Sequence, residues 1–247
     1  MIKYTITSVN NDKIKQENLL KNNKDRYEQQ EFLVEGYHLV EECYKAGILK
    51  RIYIVNEKDA LKYKDIDSIK VTKEIIKKLA YTNNPEDIIG VSGLLTNQTI
   101  GQKIVYFDGI QDPGNVGTLI RSALGFNFDT VILGPNSASL YGDKTLRATQ
   151  GALFHLSVIE DKNDGILKDL KDQGYNLIGA DIKDAVNLKD ADIKAPLCLV
   201  LGSEGQGLRH STQELLTKKV FIPMNTELES LNVAIAGSII MYSLMNK

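Results

Sequence analysis

The feature that most constrains this chain is a series of short apolar runs in its second half, each followed by a glycine- or proline-bearing loop. They are KIVYFDGI (103–110), TVILG (130–134), LSVIE (156–160), YNLIGAD (175–181), PLCLVLG (196–202) and KVFIPM (219–224). Runs rich in Val, Ile and Leu, too short for helices and not alternating with polar residues, are strands buried on both faces. Helical patterns lie between them: LIRSALGF after the first run, Thr145–Leu153, the stretch between Gly165 and Gly174, and the terminal NVAIAGSIIMYSLM (232–245). Strands alternating with helices predict a parallel sheet covered on both sides. The terminal helix is apolar nearly all round and is expected to be buried on all sides, with Ala234, Ala236, Gly237 and Ser238 allowing close packing inside the fold or across a subunit boundary.

The first 95 residues read as a smaller α/β unit. A helical piece is expected around Lys13–Lys24, a strand at Glu31–Glu35, a helix from Gly36 to Gly47, a strand at RIYIV (51–55), a helix at Lys73–Ala80 capped by Thr72, and a strand at IIGVSGLL (88–95). The polar stretch 94–103 separates the two patterns, and the expected division is 1–97 and 98–247.

Composition excludes several classes. Of 247 residues, 43% are hydrophobic and 25% charged, as in an ordinary folded domain. No apolar run approaches the ~18 residues of a membrane span, and the N-terminus has no apolar signal region, so a cytoplasmic protein with no membrane partner is expected. Cys43 and Cys198 are too far apart for a metal motif and read as buried thiols. The three histidines form no HExxH pair, so no metal is expected. The net charge of −2 argues against a generally basic surface, although Lys3, Lys13, Lys15, Lys21, Lys24 and Arg26 make the first 26 residues locally basic. Lys24 and Arg26 are the candidates there for RNA contact, against a plain solvated surface.

Ligands of parallel sheets gather where strand ends hand over to loops, and three such loops have unusual composition. In QDPGNVGTLIR (111–121), Pro113 and Gly114 make a turn, and Arg121 lies about two helical turns beyond Asn115. It is placed to bind a phosphate or carboxylate, or else is a surface arginine behind a capping asparagine. LGSEGQGL (201–208) has three glycines around Glu204. It fits neither the Walker loop nor the GxGxxG dinucleotide pattern, and by itself is compatible with a tight turn. Ser211 to Glu214 then has the spacing of a capping box. IPMNTELESLNVAIA (222–236) brings Ser230 and Asn232 to the mouth of the last helix, where either can cap it.

Taken together and in this order, PGNVGTLIR (113–121), LGSEGQGL (201–208) and IPMNTELESLNVAIA (222–236) resemble the three motifs of the SpoU (TrmH) branch of the SPOUT RNA methyltransferases. RYEQQEFLVEGYHLVEE (26–42) and VTKEIIKKLAYTNNPEDIIGV (71–91) resemble the substrate-binding domain often fused ahead of that catalytic domain. The resemblance implies a C-terminal α/β-knot, a parallel sheet with a trefoil knot, preceded by a small ribosomal-protein-like α/β domain that docks RNA. It also implies S-adenosylmethionine as cofactor, a homodimer, and methylation of a ribose 2′-hydroxyl in RNA, ribosomal RNA ahead of tRNA. By motif position, Asn115, Arg121, Glu204, Ser230 and Asn232 are implied as catalytic. Gly202, Ile222, Leu231, Leu201, Gly207 and Met224 are implied at the cofactor. Thr226 stands where many family members have glycine.

The family's usual proposal makes the arginine a general base. A guanidinium keeps its proton to a pKa above ~12, so Arg121 is expected instead to grip a phosphate and stabilise developing oxyanion charge while Asn115 and Ser230 orient the hydroxyl. Two alternatives stand beside this reading: a non-catalytic RNA-binding or ribosome-assembly protein on the same fold, and a nucleotide-dependent Rossmann enzyme, which the missing GxGxxG disfavours.

Overall fold

The computed structural model describes residues 2–96, 98–225 and 227–246. The chain divides into two compact units, one of Met1–Thr96 with Tyr141–Phe154, the other of Asn97–Leu140 with His155–Lys247.

The first unit is built on β1 (Ile2–Ile6), α1 (Asp12–Leu19), α2 (Asn23–Gln29), β2 (Glu31–Glu35), α3 (Tyr37–Lys45), β3 (Leu49–Ile54), β4 (Asp67–Val71), α4 (Lys73–Leu79) and β5 (Ile88–Gly93). The sheet order is β1-β4-β3-β5-β2. β1 and β3 run parallel to β4, whereas β5 is antiparallel to both β3 and β2. Ile14, Leu33, Tyr53, Ile69, Ile75, Leu79 and Val91 form the core between the sheet and α1 and α4. On β2, Phe32, Leu33 and Val34 are all buried. Phe32 is covered by Tyr141, 4.7 Å away between ring centroids. Tyr141 arrives with the later segment 141–154, whose helix Asp143–Thr149 (α6 in chain order) packs beside β2. Local pattern gives no sign that this helix leaves the second unit.

The helix expected over Lys13–Lys24 is two helices, broken at residues 20–22. Arg26 makes that break. It is buried at 4% exposure, and its guanidinium donates to Leu20 O (3.2 Å), Lys21 O (2.9 Å) and Asn23 Oδ1 (3.0 Å). The expectation that Arg26 reads RNA is therefore corrected: a charge count along the chain cannot see that this side chain fastens a turn. Lys24 is exposed, 3.6 Å from Glu28. Thr72 precedes α4 as expected but makes no side-chain capping bond. β1 and β4 were not foreseen, because IKYTI and DSIKV carry polar residues at half their positions.

A buried ion cluster fastens α1 to the sheet. Arg51 donates to both oxygens of Glu17 (2.8 and 2.7 Å) and both oxygens of Glu31 (3.1 and 2.5 Å), and Tyr53 donates its hydroxyl to Glu17 (2.7 Å). Glu17 is only 2% exposed. Burial opposes the charge on Glu31, but the Arg51 and Lys50 hydrogen bonds prevail and hold its carboxyl below the usual range.

The second unit carries β6 (Lys103–Asp108), α5 (Pro113–Gly125), β7 (Thr130–Leu133), β8 (Ser157–Glu160), α7 (Ile166–Asp172), β9 (Asn176–Ala180), β10 (Val186–Asn187), β11 (Leu197–Gly202), α8 (His210–Gln213), β12 (Lys218–Phe221) and α9 (Val233–Leu244). The seven-stranded sheet has the order β10-β12-β9-β11-β6-β7-β8, and every pairing in it is parallel. β6 and β11 lie side by side near its middle, with Asp108 opposite Gly202 at their carboxyl ends. Ile104, Tyr106, Cys198 and Val200 pack with Leu167 and Leu170 of α7. Leu201 of β11 and Leu119 of α5 approach Gly237 of α9 so closely that a Cβ there would lie 2.6 Å from each. The small residue lets α9 lie down on α5 and β11.

α9 is not buried on all sides within the chain. Val233, Ala234, Gly237, Ile240, Met241 and Leu244 face inward, while Ile235 (53%), Ile239 (40%) and Tyr242 (65%) are exposed. Cys43 and Cys198 are buried free thiols. Among the described residues no helix is long and apolar enough to cross a membrane, and no group of three or more metal-ligating side chains is assembled.

Candidate active site at the strand ends

Each of the three unusual loops sits at a strand's carboxyl end in the second unit. β6 ends at Asp108. The helix that follows begins earlier than expected, at Pro113, and is capped by Asp112, whose side chain accepts the Asn115 N–H at 2.8 Å. Proline at the first helical position suits this start, since its missing N–H would have no partner there. Asn115 is thus not the cap. It stands in the first turn with its side-chain amide free for other work.

After β11 the chain doubles back. Ser203 and Gly207 exchange main-chain hydrogen bonds (3.1 and 2.9 Å), and Gly207 has φ +66°. A Cβ on Gly202 would collide with the main chain of Gly207 and Leu208. The spacing GxxGxG therefore builds a hairpin-like turn that presents Glu204 at its exposed tip. Beyond it, α8 starts at His210 with no side-chain cap, so the capping box expected at Ser211–Glu214 does not form. In the third loop the cap of α9 is Asn232, whose Oδ1 accepts from Ala234 N (2.9 Å) and Ile235 N (3.3 Å). Ser230 is exposed and does not cap. Thr226 lies outside the described residues.

These local choices force a polar relay. Because Oδ1 of Asn232 is turned to the helix, its Nδ2 points away and donates to Asn115 Oδ1 at 3.1 Å. That fixes the Asn115 amide in turn, and its Nδ2 donates to Glu204 Oε1. The helix terminus thereby orients two amides and a carboxylate drawn from three loops. Arg121 is exposed, two turns along α5 from Asn115. Among the described residues it makes no hydrogen bond or ion pair.

A cavity of about 230 Å³ opens beside the relay. Its walls are the ends of β9 (Ala180, Asp181, Ile182), β11 with its turn (Leu201–Glu204, Gly207) and β12 with the loop after it (Val220–Ile222, Met224, Glu229–Leu231), floored by Val233, Ala236 and Ile240 of α9. Gly202, Ile222, Leu231, Leu201, Gly207 and Met224 all line it, as do Glu204 and Ser230. Asn115, Arg121 and Asn232 are not in the lining; Asn115 and Asn232 reach it through Glu204. Lys24 and Arg26 lie in the other unit.

Two groups were missed by sequence reasoning. Asp108, buried at the end of β6, takes the Arg209 main-chain N–H (2.8 Å) and Nε (2.5 Å), and Arg209 also forks onto both oxygens of Asp164 (2.6 and 2.7 Å). The Arg209 hydrogen bonds hold the Asp164 carboxyl below its usual range, and Asp164 in turn raises the guanidinium pKa. This clamp ties the exit of the β11 turn to the strand that leads into α5. A lone acid closing an apolar strand and an arginine two residues after the last glycine of a turn were the available signals. The second is Asp181, which follows β9. Burial works against its charge, but the Lys183 N–H, Lys219 and the Ile182 N–H together keep its carboxyl below the usual range.

A parallel α/β sheet whose cavity opens at three adjacent strand ends, closed by a glycine turn and an asparagine-capped helix, defines the methyltransferase class with which the chain aligns. The family model described as the SpoU rRNA Methylase family matches residues 102–242, and one described as an MRM3-like substrate binding domain matches residues 11–90. The chain belongs to the SpoU rRNA methylase family. It is 31% identical over 243 residues to the 23S rRNA (guanosine(2553)-2′-O)-methyltransferase RlmP of Bacillus subtilis, covering 97% of this chain and 98% of that one. Among solved structures it is similar to a putative RNA methyltransferase of the TrmH family from Porphyromonas gingivalis (29% identity, TM-score 0.86, 96% of this chain and 98% of that one). It is also similar to the SpoU methyltransferase AviRb of Streptomyces viridochromogenes in complex with AdoMet (25% identity, TM-score 0.86, 95% and 97% covered).

Proposed function

We propose that this protein transfers a methyl group from S-adenosylmethionine to a ribose 2′-hydroxyl of ribosomal RNA. The observation that carries the reading is the Asn232–Asn115–Glu204 relay, which joins all three loops at the rim of one cavity, with Arg121 on the adjoining helix unpaired among the described residues. The cavity suits the cofactor. Leu201, Val233 and Ile240 offer apolar surface for a base, the turn at Gly202 leaves main-chain groups unobstructed by a Cβ, and Glu204 and Glu229 are acids that favour a cationic sulfonium compound.

Once bound, S-adenosylmethionine supplies an electrophilic methyl group. The chain's own task is to align the ribose oxygen with it and ease loss of the hydroxyl proton; alignment alone can supply many orders of magnitude in effective concentration. Arg121, with no partner among the described residues, grips an RNA phosphate and places positive charge beside the developing oxyanion. Among the described residues Asn115 has one amide N–H still uncommitted and the Ser230 hydroxyl makes no hydrogen bond; these two orient the ribose hydroxyl. Glu204 and Asn232 hold Asn115 in that orientation. Gly202, Ile222 and Leu231 hold the cofactor chiefly through main-chain groups, with Leu201, Gly207 and Met224 around them.

The same reading makes residues 1–97 the RNA-docking domain, with the exposed Lys24 on its surface, and 98–247 the methyltransferase domain. It places the protein in the cytoplasm, where its substrate is made. The trefoil knot is supported by the path after β11: the chain adds β12 beyond β9, then returns as α9 against α5 and β11. A homodimer is supported by Ile235, Ile239 and Tyr242, apolar side chains left exposed on α9. Ribosomal RNA is preferred over tRNA because the B. subtilis relative that matches both units end to end is named for 23S rRNA. The test is methyl transfer from labelled S-adenosylmethionine to unmodified ribosomal RNA, ribosomal particles and bulk tRNA. Label in ribosomal RNA, free or in particles, at one ribose that resists alkaline cleavage is expected. Label confined to tRNA would reassign the substrate, and absence of cofactor binding would leave the non-catalytic RNA-binding protein.

A further inference from the structure

Among the acids that line the cavity, Asp181 is held differently from the others. Its main-chain N–H closes the sheet ladder on Val220 O (3.1 Å). Its Oδ1 accepts from the Lys183 N–H (3.0 Å) and its Oδ2 from Lys219 Nζ (3.0 Å). Glu204 is committed to Asn115 and sits at a turn tip. Glu229 is exposed and has no ion pair among the described residues. Asp181 alone is both fixed in direction and charge-compensated, and its side chain keeps 24% of its surface open.

An ionised carboxylate has about four acceptor positions, so one that already takes a lysine and the main-chain N–H groups of Ile182 and Lys183 retains an acceptor for a further donor. A cationic donor is disfavoured there. The Lys219 ammonium, 3.0 Å away, would repel a second positive group, and unpaired Glu229 offers such a group a better position. Neutral hydroxyls meet no such penalty. A vicinal diol presents two O–H donors at the spacing of one carboxylate, and an acid at a strand end of an α/β sheet takes ribose hydroxyls in this way in dinucleotide-binding folds.

We infer that Asp181 accepts the ribose hydroxyls of the adenosine half of S-adenosylmethionine, with Lys219 as the residue that positions it. The inference rests on the reading of this cavity as the cofactor site. Asp181 thereby selects a nucleoside with an intact diol, while the charged sulfur and amino acid end of the cofactor lie away from it, toward Glu204 and Glu229.

The test is calorimetric binding to the intact chain, with no turnover required. Three ligands are compared: S-adenosylmethionine; 5′-methylthioadenosine, which keeps the ribose but lacks the amino acid and the positive sulfur; and 2′,3′-dideoxy-5′-methylthioadenosine. The variant Asp181→Asn retains an oxygen for the Lys183 N–H, and its thermal midpoint shows whether the fold is kept. Losing a charged acceptor is expected to weaken S-adenosylmethionine and 5′-methylthioadenosine alike, by about tenfold or more. The dideoxy compound is expected to bind wild type and variant equally. Unchanged 5′-methylthioadenosine binding by Asp181→Asn would overturn the inference, whether or not S-adenosylmethionine weakens. So would a loss that persists with the dideoxy compound, which would mean that Asp181 acts through loop shape. If wild type binds none of the three, the cofactor reading of the cavity falls and this inference with it; wild-type binding that Asp181→Asn leaves untouched removes this inference alone.

Discussion

Arg51 in the first unit and Arg121 in the second carry the same guanidinium in opposite settings. Arg51 is enclosed between two carboxylates, with Tyr53 completing the shell around Glu17. Arg121 stands on an exposed helix face with no partner among the described residues. A buried charge survives only if its hydrogen-bonding capacity is met inside the protein. A cation left unmatched at the rim of a cavity, beside a relay that fully orients its neighbours, has its capacity available for a ligand. The same side chain therefore serves cohesion in one unit and recognition in the other, and substitutions should separate the two.

The largest expected effect is on stability. Arg51→Ala leaves the buried Glu17 with only Lys13, 3.5 Å away, and the Tyr53 hydroxyl, and should destabilise the first unit by about 3 kcal/mol in denaturant unfolding. A loss under 1 kcal/mol would show the cluster to be ornamental. Next comes Asn232→Asp, a change that separates cap from relay. An aspartate still accepts the Ala234 and Ile235 N–H groups and suits a helix N-terminus, so the melting temperature should hold. It cannot donate to Asn115, so methyl transfer should fall by about a hundredfold, the scale of losing one oriented donor. Asn232→Ala should lose about 1 kcal/mol of stability as well. If Asn232→Asp transfers methyl like wild type, the relay does not orient the site.

Smaller effects follow at the exposed face of α9 and in acid. Ile239→Asp should shift the protein toward monomer in sedimentation, by about tenfold in the dissociation constant, with the fold retained; an unchanged sedimentation profile would place the subunit contact elsewhere. Acidification should act first through the paired carboxylates. Glu31 and Asp164 have folded pKa values below their ordinary values of 4.5 and 3.8. Each therefore contributes stability that is complete above its unfolded pKa and is lost as pH falls through its lower folded value. The midpoint for denaturant unfolding should hold from neutral pH to about pH 5 and decline below it. In Arg51→Ala the Glu31 share of that decline should shrink to what Lys50 alone sustains.

The second unit was legible because its strands are uninterrupted runs of Val, Ile and Leu, and because its loops spend glycine, proline and asparagine only where the backbone requires them. Gly202 and Gly207 are needed by the turn that carries Glu204, and Asn232 by the helix it caps. What escaped depends on contacts distant in sequence. Asp112 and not Asn115 caps α5, a choice two residues of polar loop leave undecided. β1 carries Lys3, Tyr4 and Thr5 and β4 carries Asp67 and Lys70 at positions that are not buried, and so both lack the apolar strand pattern. Arg26 has the composition of a surface cation and the surroundings of a turn clamp. The segment 141–154 joins the first unit through Tyr141 on Phe32, a pairing 109 residues apart that no local pattern encodes. Asp108 with Arg209, and Asp181 with Lys219, were silent for the same reason: each is an ordinary charged residue until the sheet brings its partner alongside.

The most direct test of the account is single-turnover methyl transfer to ribosomal RNA by wild type and Arg121→Ala, with the S-adenosylmethionine affinity and melting temperature of each measured alongside. A loss of transfer of at least about a hundredfold is predicted with cofactor affinity and stability unchanged, because Arg121 is not in the cavity lining and makes no hydrogen bond or ion pair among the described residues. Transfer within a fewfold of wild type would contradict it.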